Sequence, residues 1–328
     1  MKQQAKIQET TDTAAARVLT YAGVWFAVLA WGMSFVAARF LLHPEAAGQA
    51  TLSPIVLAAV RFSIASLFFV VPFARALLLR QIARHDLLRM ALLGQLTFSL
   101  YFWLQYEGVQ QTNAGISSIL VVGLIPVVTA LLAQLSGKER LNLTTLGALL
   151  LGFMGVTIIV LQRPLTMTMA SGFLLGALCL VGNAFAFAAY STLSKRWMQR
   201  VSPLVMTGGT MISGAAGLVL LSLLDPLRNQ WGVVTQLDGI QWMALLFLSV
   251  VCSVMAYFAY NSALTKIDAS RVAVYIYCEP VVAVLFGVTL LAEPLSWQII
   301  AGGVLIAGSV AVVNLVKKKG DVKHRIFS

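Results

Sequence analysis

Acidic side chains, histidine and cysteine are all scarce in this chain, with 12 Asp and Glu, 3 His and 3 Cys among 328 residues. The histidines, His43, His85 and His324, fall in predicted loops or the C-terminal tail. No imidazole is therefore placed for proton transfer at the depth where a bilayer-embedded catalyst works. Cys179, Cys252 and Cys278 lie inside predicted helices without CxxC spacing and read as small apolar packing residues, implying neither a disulfide framework nor a metal site. HExxH, GxSxG and any clustered Asp pair able to hold a metal beside a phosphorylated lipid are also missing. The nearest approach to a phosphate loop, LSGKER at 135–140, lacks the first glycine and the Ser or Thr after the lysine. Catalysis, a metal, a cofactor and direct use of ATP are not expected. An intramembrane lipid-modifying enzyme is the remaining catalytic reading, and no residue nominates itself as its catalyst.

Charge as a whole is low. Hydrophobic residues make up 59% and charged residues 11% of the chain, with a mean hydropathy of +0.86, far from the near-quarter charged fraction of soluble domains. Uncharged stretches at 18–38, 108–137, 164–194 and 239–265 have the length that crossing a bilayer requires. The expectation is an all-α integral membrane protein with ten transmembrane helices at about 18–40, 52–74, 88–106, 113–135, 142–161, 170–194, 203–224, 240–262, 270–291 and 295–316. The first apolar run starts at Val18 after a polar segment and outlasts a signal-peptide core, so it is expected to remain as the first helix.

The net charge of +11 would suit nucleic acid, but the placement of the basic residues argues against that partner. Counted from a cytoplasmic N-terminus, nineteen of the 23 Lys and Arg fall in inner segments, and only Arg39, Arg163 and Arg228 fall in outer ones. Arg61 lies within a helix. This satisfies the positive-inside rule with both termini in the cytoplasm, and the basic surface suits anionic lipid headgroups.

The chain also repeats itself. Pro126 and Pro280, Glu139 and Glu293, and Leu141 and Leu295 are each 154 residues apart, and GVQQTNA at 108–114 matches ALTKIDA at 263–269 one residue out of step. If each copy crosses the bilayer an odd number of times, the second enters upside down relative to the first, as in many secondary transporters. The organisation expected is an N-terminal tail at 1–17, repeats of five helices at 18–161 and 170–316, and a basic tail at 317–328, both tails cytoplasmic.

Two ionisable side chains fall near mid-helix, Arg61 in the second predicted helix and Glu279 in the ninth. Even mild insertion scales charge about 2.5 to 3.5 kcal/mol for such a residue. Either the two pin helices together, or Glu279 is a proton or substrate-amine site tuned by Arg61 and burial. Helices entering from opposite sides bring both to comparable depth, so a direct or water-bridged pair is geometrically open. Pro280 follows Glu279 and frees a carbonyl one turn earlier, a break that often marks binding sites. Glu139 and Glu293 have a simpler reading, since each sits at a helix N-terminus where a carboxylate complements the macrodipole.

Aromatic and amide residues mark certain helices. These are Trp31 and Ser34 in the first, Tyr101, Phe102, Trp103, Gln105 and Tyr106 in the third, and Asn183, Phe187 and Tyr190 on one face of the sixth. Tyr257, Tyr260 and Asn261 follow in the eighth and Tyr275 and Tyr277 in the ninth. Tyr106, Tyr260 and Asn261, near helix ends, read as interfacial belt. Trp31, Asn183, Tyr275 and Glu279 lie deeper and read as cavity wall. Gly147, Gly152 and Gly155, with Gly302, Gly303 and Gly308, suit close packing of the fifth and tenth helices.

Four stretches, WGMSFVAARF at 31–40, LAAVRFSIASLFF at 57–69, TNAGISSILVVGLIPVVTALLA at 112–133 and EPVVAVLFGVTLLAEPLSWQIIAGGVLIAGSV at 279–310, make the chain resemble the EamA family of the drug/metabolite transporter superfamily. The resemblance covers roughly 18–161 and 170–316. It implies two inverted five-helix repeats in the bacterial inner membrane, with helices one to four and six to nine around a central cavity and five and ten at the periphery. It also implies transport of small metabolites, commonly outward. It places Trp31, Ser34, Arg61 and the Glu279-Pro280 pair at positions that the family usually retains. The echo of WGMSF in the sixth helix, GNAFAFAAYSTLSKRW at 182–197, departs by carrying Asn183 and Ala184 where the family often has Trp.

The function expected is secondary active export of amino acids or related small metabolites by alternating access. A passive facilitator or an importer of the same fold is the alternative. Candidate substrate-binding residues are Trp31, Ser34, Phe102, Asn183, Phe187, Tyr257, Tyr275 and Glu279. Candidate structural or coupling residues are Arg61, Glu279, Pro126, Pro280, Glu139 and Glu293. Partners are a small-molecule substrate, protons as the coupling ion, the lipid bilayer, and no nucleic acid, in a monomer or homodimer.

Overall fold

Long apolar runs with few turn formers produce helices and no strand among the described residues of the computed structural model, which are 2–42, 50–111, 119–137, 142–160, 172–224, 231–291 and 296–326. In chain order the α-helices are α1 (Lys2–Leu42), α2 (Pro54–Leu78), α3 (Arg84–Gly94), α4 (Tyr101–Gln111), α5 (Leu124–Leu135) and α6 (Leu143–Val160). The series continues with α7 (Phe173–Trp197), α8 (Pro203–Leu224), α9 (Gly239–Leu246), α10 (Ala256–Leu264), α11 (Ala269–Val274), α12 (Glu279–Leu291) and α13 (Trp297–Ile326). Three π-helical turns interrupt them. Gln95–Leu100 joins α3 to α4, Ile119–Gly123 leads into α5, and Phe247–Met255 joins α9 to α10. A 3-10 turn, Tyr275–Cys278, separates α11 from α12, and another covers Trp231–Gln236.

Local chemistry explains several ends. Pro54 and Pro203 open α2 and α8, where a missing N–H costs nothing. Asp238 and Gln241 form a reciprocal capping box at the start of α9. Gly137, at φ 70, ends the turn after α5 in the left-handed region that suits glycine. The polar N-terminal segment is helical from Lys2 as the start of α1, and the basic C-terminal segment is helical through Ile326.

Among the described residues, six stretches are long and apolar enough to cross a membrane: Ala15–Leu42, Pro54–Leu78, Arg84–Gln105, Leu174–Trp197, Pro203–Leu224 and Gly239–Leu264. Leu120–Leu135, Leu143–Ile159 and Trp297–Val313 are shorter apolar helices, and the expected span at 270–291 is divided by the 3-10 turn. Leu67, Val71, Leu175, Leu220 and Val304 are exposed, as lipid-facing positions require.

The main packing partners all join one half of the chain to the other. Helix α6 lies on α13, α2 on α8, α4 and α5 on α7, and α1 on α10 and α12. This pattern maps onto itself when the two repeats are exchanged. The α6–α13 crossing shows it residue by residue. A Cβ on Gly155 would meet the Gly302 carbonyl at 2.7 Å, and Ser309 Oγ donates to the Ala148 carbonyl at 2.8 Å. The same offset of 154 carries Gly155 onto Ser309 and Ala148 onto Gly302, so these two contacts are copies of one another. Rising numbers in α6 meet falling numbers in α13, so the two counterparts run antiparallel and the repeats are inverted. Trp31 reaching Cys252 while Gly23 faces Ala259 gives the same direction for α1 and α10. Asn183 reaching Tyr101 while Gly172 faces Gln111 gives it for α7 and α4.

Not every glycine expected at this crossing serves it. A Cβ on Gly147 would meet nothing within 4 Å, and one on Gly303 only Val281 at 4.0 Å, whereas Gly152 lies under the Tyr277 ring. Gly302→Val should therefore destabilise the solubilised protein by about 1 to 3 kcal/mol through overpacking, while Gly147→Ala is neutral or stabilising by up to about 1 kcal/mol. Thermal unfolding of the two variants in one detergent separates them, and equal melting points would refute a close crossing at Gly302.

Candidate functional site

A π turn widens the helix and loosens its carbonyl ladder, which in hydrocarbon must be satisfied from elsewhere. A carbonyl at or beside each π turn accepts a side-chain donor from the opposite repeat. Trp31 Nε1 donates to Cys252 O at 2.9 Å, Asn183 Nδ2 to Tyr101 O at 2.7 Å, and the Tyr277 hydroxyl to Gly123 O at 3.3 Å and Leu149 O at 3.1 Å. Trp31 and Asn183 are 152 residues apart and Tyr101 and Cys252 are 151 apart, so the first two bonds are counterparts across the repeat. Asn183, which stands where the first copy has tryptophan, thus keeps the carbonyl-binding task and leaves the ring out.

Around these bonds an aromatic cluster draws on five helices. The Trp31 ring meets Tyr257 and Tyr260, each with centroids 5.2 Å away, and Phe187 at 6.0 Å. Tyr257 extends the cluster to Phe98 at 5.2 Å, Tyr190 at 6.3 Å and Phe62 at 6.4 Å. Phe102 packs on Phe62 at 5.1 Å and Tyr101 at 5.0 Å. Such edge and tilted pairs add to the burial of large rings.

The two mid-helix charges sit at the margin of this cluster without cancelling each other. Arg61 is 9% exposed and its Nε donates to Ser253 Oγ at 2.8 Å, while Ser253 itself donates to the Leu248 carbonyl of its own π turn at 2.9 Å. The Arg61 guanidinium also lies 5.0 Å from the Phe62 ring centre. Glu279 is 7% exposed and is the first residue of α12, directly after the 3-10 turn. Its N–H bonds the Ile276 carbonyl, the one that Pro280 cannot serve, which accounts for the 3-10 turn just before it. Among the described residues no carboxylate lies within ion-pair distance of Arg61 and no cation within that distance of Glu279, so the direct pair left open by the sequence is not formed. Gly32 brings α1 against Glu279, since a Cβ on the glycine would meet the Glu279 carbonyl oxygen at 3.0 Å and Val282 closer still.

The structure brings Trp31, Phe102, Asn183, Phe187, Tyr257, Arg61 and Glu279 into or beside one region. Ser34 is adjacent, but its hydroxyl is bonded to the Trp31 carbonyl at 2.6 Å. Tyr275 is not part of the cluster. Its ring packs on Trp25 at 5.4 Å and Tyr21 at 6.2 Å. Pro126 is buried in the first turn of α5 and Pro280 half-buried in that of α12. Glu139 and Glu293 lie outside the described residues. Tyr260 and Asn261, expected at the interface, are instead 1% and 0% exposed, because Tyr260 pairs with Ser191 at 2.9 Å and Asn261 donates to Tyr190 at 2.6 Å and Thr207 at 2.8 Å. Sequence reasoning passed over Ser253. Its signal was the spacing of Ser249, Ser253, Tyr257 and Asn261, four apart along an otherwise apolar stretch.

The arrangement offers two separated ionisable side chains beside an aromatic wall, chemistry suited to binding. Comparison with known proteins agrees in outline. The model of the EamA-like transporter family matches residues 19–161 and 174–315. A protein of Archaeoglobus fulgidus named an uncharacterized transporter is 28% identical over 285 residues, covering 87% of this chain and 95% of that protein. The uncharacterized transporter YcxC of Bacillus subtilis is 26% identical over 295 residues, covering 88% and 90%. A solved crystal structure shares the fold with a TM-score of 0.74 at 20% identity over 92% of this chain and 98% of the other.

If the two carbonyl bonds are counterparts, Trp31→Phe and Asn183→Leu should each cost about 1 to 3 kcal/mol by leaving a buried carbonyl unsatisfied. Denaturation of each variant in detergent checks this, and a cost below that range at either position would show the carbonyl already satisfied by its own helix.

Proposed function

Because the chain belongs to the EamA-like transporter family, we propose that it is a secondary active transporter exporting amino acids or related small metabolites across the bacterial cytoplasmic membrane. The observation carrying this reading is the pair of buried ionisable side chains, Arg61 and Glu279, standing apart from each other at the edge of an aromatic cluster built from both repeats. A zwitterion with an apolar side chain complements all three features, its carboxylate toward Arg61, its ammonium toward Glu279 and its side chain on Trp31, Phe187 and Tyr257. The residues that would take part are Trp31, Phe102, Asn183, Phe187, Tyr257 and Glu279, with Arg61, Pro126 and Pro280 shaping or coupling the site.

Ten transmembrane helices in two inverted five-helix repeats, with both termini cytoplasmic, form the frame of this reading. Lys195 pairs with Asp268 at 3.2 Å, Arg271 reaches the same carboxylate at 3.4 Å, and Arg89 lies 5.5 Å from the Trp197 ring centre, so the ends of these helices share one face. That face is the basic one, which the positive-inside rule assigns to the cytoplasm. Rocking of the repeats about the crossings α2–α8 and α6–α13 would expose the cluster alternately to the two sides. Glu279 is the coupling carboxyl, exchanging substrate ammonium for a proton.

A thermal-shift screen of purified protein against amino acids identifies the substrate, since a ligand bound only by the folded state raises its melting point. With that substrate, uptake into inside-out vesicles should follow an imposed proton gradient in the unaltered protein and lose all dependence on the gradient in Glu279→Gln. Gradient-independent equilibration by the unaltered protein would favour the passive facilitator. An unchanged gradient response in Glu279→Gln would remove that residue from coupling.

A further inference from the structure

A second polar cluster lies nearer the basic face, wholly within the second repeat. It gathers Tyr190 and Ser194 from α7, Thr207 and Thr210 from α8, and Asn261 from α10, all 0% exposed. Thr210, Ser194 and Asn261 surround the Tyr190 hydroxyl. Their hydrogen bonds leave a definite remainder. Asn261 Nδ2 spends both hydrogens on Tyr190 and Thr207, Thr207 donates to Pro203 O at 2.7 Å, and Thr210 donates to Met206 O at 2.9 Å. Asn261 Oδ1 and Ser194 Oγ are left without a partner, and the Tyr190 proton is still to be given. With the Asn261 amide turned over, its Oδ1 takes the Tyr190 proton and leaves the Nδ2 hydrogens and Ser194 Oγ unpaired, so both a donor and an acceptor still remain.

An occupant must therefore both accept and donate hydrogen bonds, be small, and carry no charge. Water meets these terms, whereas a bare cation cannot accept the Ser194 and Tyr190 protons. The cluster also lies along a line. Ser194 adjoins Lys195, whose ammonium pairs with the partly exposed Asp268, so one turn of α7 separates it from the surface. Tyr190 is one turn deeper than Ser194, and Tyr257 one turn deeper than Asn261. The rings of Tyr190 and Tyr257 stand 6.3 Å apart, and Tyr257 packs on Trp31, whose neighbour Gly32 abuts the backbone of Glu279.

We propose that this nest is a water site and the inner leg of a proton path, running from Ser194 through a water held by Ser194 and Asn261 to the hydroxyls of Tyr190 and Tyr257 and on to the Glu279 carboxyl. It rests on Glu279 being the coupling carboxyl. Each oxygen along the line takes a proton from the side of the basic face and releases its own toward Glu279. No hydroxyl ends with a net charge, and the last proton neutralises the Glu279 carboxylate. Rotation of the hydroxyls restores the line for the next transfer. The charged and titratable groups facing its inner end are Arg61, Tyr101, Tyr257 and the thiol of Cys278.

The test needs no substrate. In reconstituted protein perfused with D2O, infrared difference spectroscopy follows the carboxyl band that disappears in Glu279→Gln, and its rate of deuteration measures access to Glu279. Tyr190→Phe, which keeps the ring, and Ser194→Ala, which removes one small hydroxyl, should each slow that rate about tenfold or more. Thr192→Val, whose hydroxyl serves only the Ala188 carbonyl of its own helix at 2.9 Å, should leave it unchanged. Unaltered rates in Tyr190→Phe and Ser194→Ala would overturn the path while leaving Glu279 a proton site. Absence of any carboxyl band sensitive to Glu279→Gln would overturn both.

Discussion

Hydrocarbon offers the backbone no hydrogen bonds, and much of this structure follows from how that demand is met where regular helix fails. At each of the three π turns a carbonyl finds its donor in the other repeat, from Trp31, Asn183 and Tyr277. These bonds make each half's irregular backbone depend on the other half. The close crossing of α6 and α13 adds the same interdependence through packing, with Gly155 and Gly302 allowing backbones to approach and Ser309 bonding across the contact. A duplicated unit that could not bury its own defects has become one body with a two-fold axis.

The residues proposed to carry function are departures from that symmetry. Leu124 and Ile125 precede Pro126, whereas Cys278 and Glu279 precede Pro280, so only the second copy carries a carboxylate at the helix break. Likewise Trp31 packs among Phe187, Tyr257 and Tyr260, while its counterpart Asn183 keeps the carbonyl bond and supplies no ring. Symmetric bonds hold the scaffold and asymmetric side chains furnish the chemistry. The family match supports a membrane transporter.

Much of the frame was legible in the sequence because lipid imposes a coarse code. Length and composition mark helices, the spacing of Pro126 and Pro280 marks duplication, and the distribution of Lys and Arg marks a side. The glycines of α6 and α13 were legible as a set but not one by one, since Gly147 and Gly152 differ only in which way the helix turns them. Tyr260 and Asn261 were misplaced for a similar reason. Nearness to a helix end suggests the interface, yet Ser191, Tyr190 and Thr207 arrive from other helices to bury them.

The sequence by itself determined an all-helical membrane protein, its internal duplication and the identity of the two costly charges, because these depend on composition and on spacing along one chain. Only the tertiary structure decided that Arg61 bonds Ser253 and stands apart from Glu279, that Tyr275 belongs with Trp25 and Tyr21, and that Trp31 and Asn183 do the same work. Those outcomes turn on which helix faces meet across roughly 150 residues of chain, and on the need of each buried polar group for a partner within hydrogen-bond reach. Neither is written in local pattern.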